Sequence, residues 1–181
     1  MADNGTKFGK AHKAITDMVL FAMFGAMIFA SKIAFEAFPN VHPITMLIMV
    51  FTIAYGWRGL IPTFLFVIIS GAYYGFPIWW IPYLYIWPLY SVLTMLLPKK
   101  MPGKVAVFVY PIVCGLFGLL YGTIYAPGQA LLFGYNFQKM IKWIIAGLPW
   151  DVVHGLGNLG MGLLIYPLSE LVKTLNRKIG A

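Results

Sequence analysis

The chain has 181 residues, 61% of them apolar and only 10% charged, against about 25% charged in a typical soluble domain, which excludes a water-soluble globule. Its net charge of +8 comes from thirteen Lys and Arg placed almost entirely between apolar stretches, without interleaved aromatics. That placement argues against nucleic acid and for a membrane, whose anionic lipid attracts juxtamembrane lysines.

The basic residues alternate from gap to gap. Lys7, Lys10 and Lys13 precede the first apolar stretch, and the next gap, 39–43, has none. Arg58 marks the second gap, and the third, 71–82, is uncharged. The fourth carries Lys99, Lys100 and Lys104, the fifth only Lys139 and Lys142, and the tail Lys173, Arg177 and Lys178. Ten of the thirteen fall on one side, two on the other, and Lys32 lies inside a stretch. Basic side chains stay on the cytoplasmic side because translocating them is costly. The pattern therefore predicts an all-α membrane protein, a bundle of six transmembrane helices with N- and C-termini cytoplasmic. It is a single domain over 1–181, with 1–15 a cytoplasmic N-terminal segment and 176–181 a cytoplasmic tail.

The first predicted span, 16–38, stops at Pro39. It resembles a signal peptide only superficially, because its apolar region has span length, and it is expected to be retained. Within it Ala22, Ala26, Ala30 and Ala34 recur every four residues along one stripe. Small residues let two helix backbones approach closely in lipid, where packing drives association. The stripe reads either as a contact with another helix of the chain or as a docking face for a partner membrane protein. Lys32 and Glu36 lie one turn apart near the end of this span, either facing a cavity or snorkelling to the interface and pairing there. Asn40 and His42 follow in the outer loop.

The second and third spans, 44–55 and 60–73, are short. The fourth, 78–97, contains Pro82 and Pro88 and is expected to kink. Eight aromatics lie between Tyr73 and Trp87, among them Trp79, Trp80 and Tyr83. They suit an interfacial belt and also a wall that stacks on a flat organic ligand. The fifth span, 105–125, contains Pro111 and the single cysteine, Cys114, so neither an intrachain disulfide nor a cysteine-based metal site is available. Gly71/Gly75 and Gly118/Gly122 repeat the small-residue spacing, and there internal packing is expected.

Between the fifth and sixth spans, 126–148 reads as a long connection with an amphipathic helix at 137–146 near the outer surface. The sixth span, 149–175, opens with Trp150 and Asp151 and continues through His154 and Asn158. Asp151, His154 and Asn158 share one helical face and project together into the bundle. Asp151 alone also fits a first-turn carboxylate on the helix dipole, but His154 and Asn158 have no capping use. No GxSxG elbow, HExxH, GK[ST] phosphate loop or acidic Mg²⁺ cluster occurs, so catalysis and ATP hydrolysis by this chain are not expected.

Three segments, AMFGAMIFASKIAFEAFPNVHPIT, GAYYGFPIWWIPYLYIWPLY and LLFGYNFQKMIKWIIAGLPWDVVHGLGN, resemble the substrate-binding S components of energy-coupling factor (ECF) vitamin transporters, over nearly the whole length. The resemblance implies that the stripe of Ala22, Ala26, Ala30 and Ala34 docks on a transmembrane T component coupled to two cytoplasmic ATPases. ATP and Mg²⁺ would be used by those partners, and this chain itself would bind no cofactor and no metal. It implies a vitamin site near the outer face, around Asn40, His42, Trp79, Trp80, Tyr83, Gln129, Asn136, Trp150, Asp151, His154 and Asn158. Within the family the segments look most like the cobalamin-specific members. A wide, aromatic, nearly uncharged mouth suits a large neutral corrinoid better than folate. Folate would call for more basic residues than Lys32, Lys139 and Lys142; pyridoxine-like and queuosine-precursor ligands remain open. Two other classes stay alive: a small intramembrane enzyme using Asp151 and His154, and an assembly subunit that binds no small molecule.

Overall fold

The computed structural model describes residues 7–38 and 40–179. The expected stop at Pro39 and the outer parts of the two predicted terminal segments, 1–6 and 180–181, lie outside the described residues. Among the described residues the chain is all helical, with eight α-helices: α1 Lys7–Ala34, α2 Ile44–Tyr55, α3 Leu60–Tyr74, α4 Tyr83–Met95, α5 Gly103–Leu119, α6 Tyr121–Phe133, α7 Phe137–Gly162 and α8 Ile165–Ile179. Short 3₁₀ turns at Gly56–Gly59 and Ile78–Trp80 lead into α3 and towards α4.

Helix directions follow from the contacts. Asp17 pairs with Arg58 at one end of α1, and Lys32 Nζ donates to Tyr74 Oη, 3.0 Å away, at the other, so α1 and α3 run parallel. Phe24 stacks on Phe51 with ring centroids 4.2 Å apart, and Phe21 meets Tyr55 edge-on at 5.2 Å, so α2 runs the opposite way between them. The reversal from α2 to α3 is tight. Gly59 sits so close that a Cβ there would lie 2.7 Å from the Thr52 Cα. Every residue of α2 from Ile44 to Thr52 is buried, the signature of a helix apolar all round and wrapped on all sides. α2 is thus the axis of the bundle.

The second half of the chain is a long antiparallel pair, α5–α6 against α7–α8. Glycines set its spacing. A Cβ on Gly162 would lie 2.6 Å from Pro111 Cα, one on Gly115 3.3 Å from the Gly155 carbonyl oxygen, and one on Gly118 2.8 Å from the His154 carbonyl oxygen. The internal-packing reading of Gly118 and Gly122 is what this contact displays.

Three helical stretches among the described residues are long and apolar enough to cross a membrane: Gly9–Ala34, Ile44–Tyr74 and Gly103–Phe133. The pair Phe137–Gly162 and Ile165–Lys178, bent by 48°, makes a fourth. Exposed apolar side chains ring the molecule, Leu131, Phe108 and Met18 among them, as a lipid-facing surface requires. Taken singly, α2, α3 and α4 have 12, 15 and 13 residues, or about 18–22 Å at 1.5 Å per residue, short of the roughly 30 Å hydrocarbon core.

Several expectations are corrected. The region 126–148 is not a long connection: α6 runs on to Phe133, α7 begins at Phe137, and the amphipathic segment 137–146 is the first part of α7 rather than a separate surface helix. Asp151 therefore lies well inside α7, and the first-turn dipole argument for it falls. Pro82 is the N-cap of α4 rather than a kink within it. The predicted sixth span is broken near Leu163 and Leu164, where α7 gives way to α8.

Candidate functional site

The polar face read from the sequence of α7 is real. Asp151, His154 and Asn158 are all buried, at 5%, 3% and 1% exposure. Spacings of three and four residues put them on one stripe that faces α5–α6 and the start of α2. Asp151 Oδ1 accepts from the Gly122 backbone N–H at 3.0 Å, and Asn158 Nδ2 donates to Thr45 Oγ1 at 3.1 Å. Both bonds depend on glycine. A Cβ on Gly122 would strike the Asp151 carboxylate, and one on Gly118 would lie 2.6 Å from Asn158 Nδ2.

His154 differs from its two neighbours. Its ring meets His42 edge-on with centroids 5.1 Å apart and Tyr121 at 4.9 Å, but its Nε2 has no hydrogen-bond partner. Nor do His42 Nδ1 and Asp151 Oδ2, which are likewise buried. Buried polar atoms are nearly always satisfied. Three orphans on His42, Asp151 and His154 make this cluster the candidate place for a ligand's polar groups. His42 belongs to the connection before α2, outside the helices, and burial pushes its pKa down to about 4, so its imidazole is neutral at physiological pH.

An aromatic path leads from this cluster to the surface. Tyr121 neighbours Trp87 at 5.8 Å, Trp87 neighbours Tyr83 at 5.5 Å, and Tyr83 neighbours Trp79 at 5.4 Å. Tyr125 Oη donates to the Trp79 carbonyl oxygen at 2.9 Å and ties the path to α6. Beside it, Tyr74 Oη accepts from Lys32 Nζ and donates to Glu36 Oε1, each at 3.0 Å. Lys32 and Glu36 therefore do not pair directly; a tyrosine bridges them and fastens the end of α1 to the end of α3. The turn after α3 has left-handed backbone at Gly75 (φ 78°) and Phe76 (φ 50°). A bulky residue is rare in that region, and here its ring is wedged between Gly71 and Trp80.

The structure thus brings His42, Asp151, His154 and Asn158 together, with Tyr83 and Trp79 along the path. Asn40 approaches from the rim, its Nδ2 lying 3.5 Å from the Trp150 carbonyl oxygen, while the Trp150 ring is 58% exposed on the outside of α7. Trp80 has a structural use, donating from Nε1 to the Val67 carbonyl oxygen at 2.7 Å. Asn136 is the N-cap of α7, accepting from the Lys139 N–H at 2.8 Å, and Gln129 is half-buried on α6 beyond the cluster. Sequence reasoning missed Thr45 and Tyr121, and it placed Tyr74 among the wall aromatics without its bridge between Lys32 and Glu36. Thr45 had no signal, being a small polar residue inside an apolar run. Tyr121 had one: it lies next to Gly122, in the small-residue contact that brings α7 close.

Chemically the cluster offers neutral donors and acceptors, one carboxylate and flat aromatic walls. No group of three or more His, Cys, Asp or Glu that would hold a metal ion occurs among the described residues. Comparison with known protein families, with curated proteins and with solved structures found no match.

Proposed function

We propose that this chain is the substrate-capture S component of an ECF-type importer in the plasma membrane. It would be a bundle of six spans (α1, α2, α3, α4, α5–α6 and α7–α8) with both termini cytoplasmic. The contact directions support that count, because each successive unit runs opposite to the one before, with basic and base-poor connections at alternating ends. The observation that carries the reading is the face that α1 turns outward. Ala22, Ala26, Ala30 and Ala34 are all exposed, while Phe21, Gly25 and Ile28 are buried against α2 and α3. The contact with another helix of this chain is thus made by the opposite face. Lipid tails gain nothing from alanine over leucine, whereas a close-packing partner helix does.

The cargo reading rests on the orphaned polar atoms and the aromatic path, at the end opposite most of the basic residues and so on the outside. A vitamin with polar edges and flat apolar surface fits them, and cobalamin is the first choice, with folate, pyridoxine-like and queuosine-precursor ligands behind it. Asp151, His154 and Asn158 are buried, so capture requires the rim at Asn40 and His42 and the turn at 75–82 to part. ATP hydrolysis on the partner ATPases would then drive reorientation and release.

The test is a vitamin titration of the purified chain, headed by cobalamin and cobinamide, beside uptake by cells carrying the transport partners. Saturable one-to-one binding is expected. Ala26→Leu and Ala30→Leu should leave affinity within about twofold and abolish uptake. Absence of binding across the panel by a folded sample refutes capture, and normal uptake by both leucine variants refutes the docking face.

A further inference from the structure

A separate cavity of about 480 Å³ lies at the basic end, within the range of small-molecule sites. It opens between the α2–α3 turn, the α4–α5 connection and α8, and is lined by Thr52, Trp57, Leu97, Lys99, Tyr110 and Lys173 among others. Three observations give it chemistry. Lys99 is exposed at the rim and has no carboxylate partner among the described residues. Lys173 is held at the rim by Glu170, 2.9 Å away, with both side chains still partly open to solvent. Inside, Thr52 is 2% exposed, and its Oγ1 has no hydrogen-bond partner. The lining residue Trp57 is 70% exposed, and Leu96, between the lining residues Met95 and Leu97 in the chain, is 75% exposed.

Cations at the rim, a free hydroxyl within and an apolar apron describe an anionic amphiphile. A free phosphate ion would satisfy the lysines and make no use of Trp57, Leu97 or Leu96. A phosphate-bearing headgroup anchored by acyl chains uses all of them, as basic pockets at the cytoplasmic ends of membrane helices do. We propose that this cavity binds the headgroup of an anionic phospholipid. Lys99 and Lys173 hold the phosphate, Thr52 Oγ1 donates to a headgroup oxygen, and Trp57 and Leu96 lie against the chains. The site touches α2, α4, α5 and α8 together, so an occupying lipid braces the basic end of the bundle. It shares no residue with the cluster around His154, and stands or falls independently of what that cluster binds.

The experiment is native mass spectrometry of the full chain from detergent, with phosphatidylglycerol, phosphatidylcholine or inorganic phosphate added. One retained phosphatidylglycerol is expected, at least tenfold over phosphatidylcholine. Each lysine is worth about fivefold near an anionic headgroup, so Lys99→Gln with Lys173→Gln should cut retention more than tenfold. Lys139→Gln with Lys142→Gln, the same loss of charge at the opposite end, should leave it unchanged. Thr52→Val should weaken retention a few-fold at unaltered melting temperature. Equal retention of phosphatidylcholine, or undiminished retention by the Lys99/Lys173 variant, overturns the site. Displacement of the lipid by millimolar phosphate makes the ligand a free anion and overturns the lipid assignment. Should the double variant fail to fold, Lys99→Gln alone, at an exposed position, decides the question by the same fivefold criterion.

Discussion

Replacing His154 by phenylalanine separates a ligand-receiving group from a merely structural one. In the empty protein His154 is 3% exposed with Nε2 unpartnered, which costs about 1–3 kcal/mol. Phenylalanine removes that cost and keeps the edge-on ring contacts to Tyr121 and His42, at 4.9 and 5.1 Å, each worth about 0.5–1.5 kcal/mol. Its larger ring returns part of the gain as overpacking, about 1 kcal/mol. The expected net is a stabilisation of at most about 2 kcal/mol, a rise of up to about 8 °C in Tm for a chain of this size. Vitamin affinity should fall at least tenfold, because a buried polar contact with the ligand is lost. Thermal unfolding of the ligand-free protein in detergent and a binding titration read the two effects separately. A fall in Tm would mean that Nε2 is already satisfied in the empty protein. Unchanged affinity with a raised Tm would mean that the cluster is not the site. Either result refutes the reasoning.

Other perturbations test neighbouring parts of the argument. Gly118→Ala places a Cβ 2.6 Å from Asn158 Nδ2; forcing α5 from α7 and straining the Asn158–Thr45 bond should cost about 2–4 kcal/mol in denaturant unfolding. Trp80→Ala removes the bond to Val67 and the wedge against Phe76, and should lower stability by about 1–3 kcal/mol with affinity changed only through folding. The His42 pKa lies below its unfolded value of 6.5, at about 4. The unfolded chain therefore takes up the proton first, and His42 makes stability fall as pH drops from 6.5 towards 4 and leaves it level above. His42→Gln should flatten that part of the pH profile of Tm.

Much of the helix plan was legible because apolar stretches and proline boundaries mark it. α2 and α3 begin and end within a residue of the expected 44–55 and 60–73. The failure at 126–148 has a physical cause. Pro127, Gly128 and Gly134 read as breakers, yet Pro127 and Gly128 sit in the middle of α6, and only Gly134, left-handed at φ 63°, ends a helix. In an apolar setting every backbone group left unpaired is costly, so helices extend through residues that would end them in water. The same cause carries α7 back to Phe137 and leaves Asp151 in its interior.

The candidate site was legible wherever one helix sufficed to see it. Asp151, His154 and Asn158 share a face by arithmetic alone, whereas their partners come from elsewhere in the chain: Thr45 is 113 residues from Asn158, and Gly122 is 29 from Asp151. Which of eight clustered aromatics line the path and which brace the fold could not be read from composition, since Trp79 and Trp80 are adjacent and identical in kind. The 3₁₀ turn decides it: Trp80 Nε1 is aimed back at the Val67 carbonyl on α3, while Trp79 meets Tyr83 and so the His154 cluster. What distinguishes a binding group here is an atom without a partner. Asn158 spends its amide on Thr45 and Trp80 its indole on Val67, leaving His42, His154 and the second oxygen of Asp151 as the unpartnered groups that the proposed ligand would satisfy.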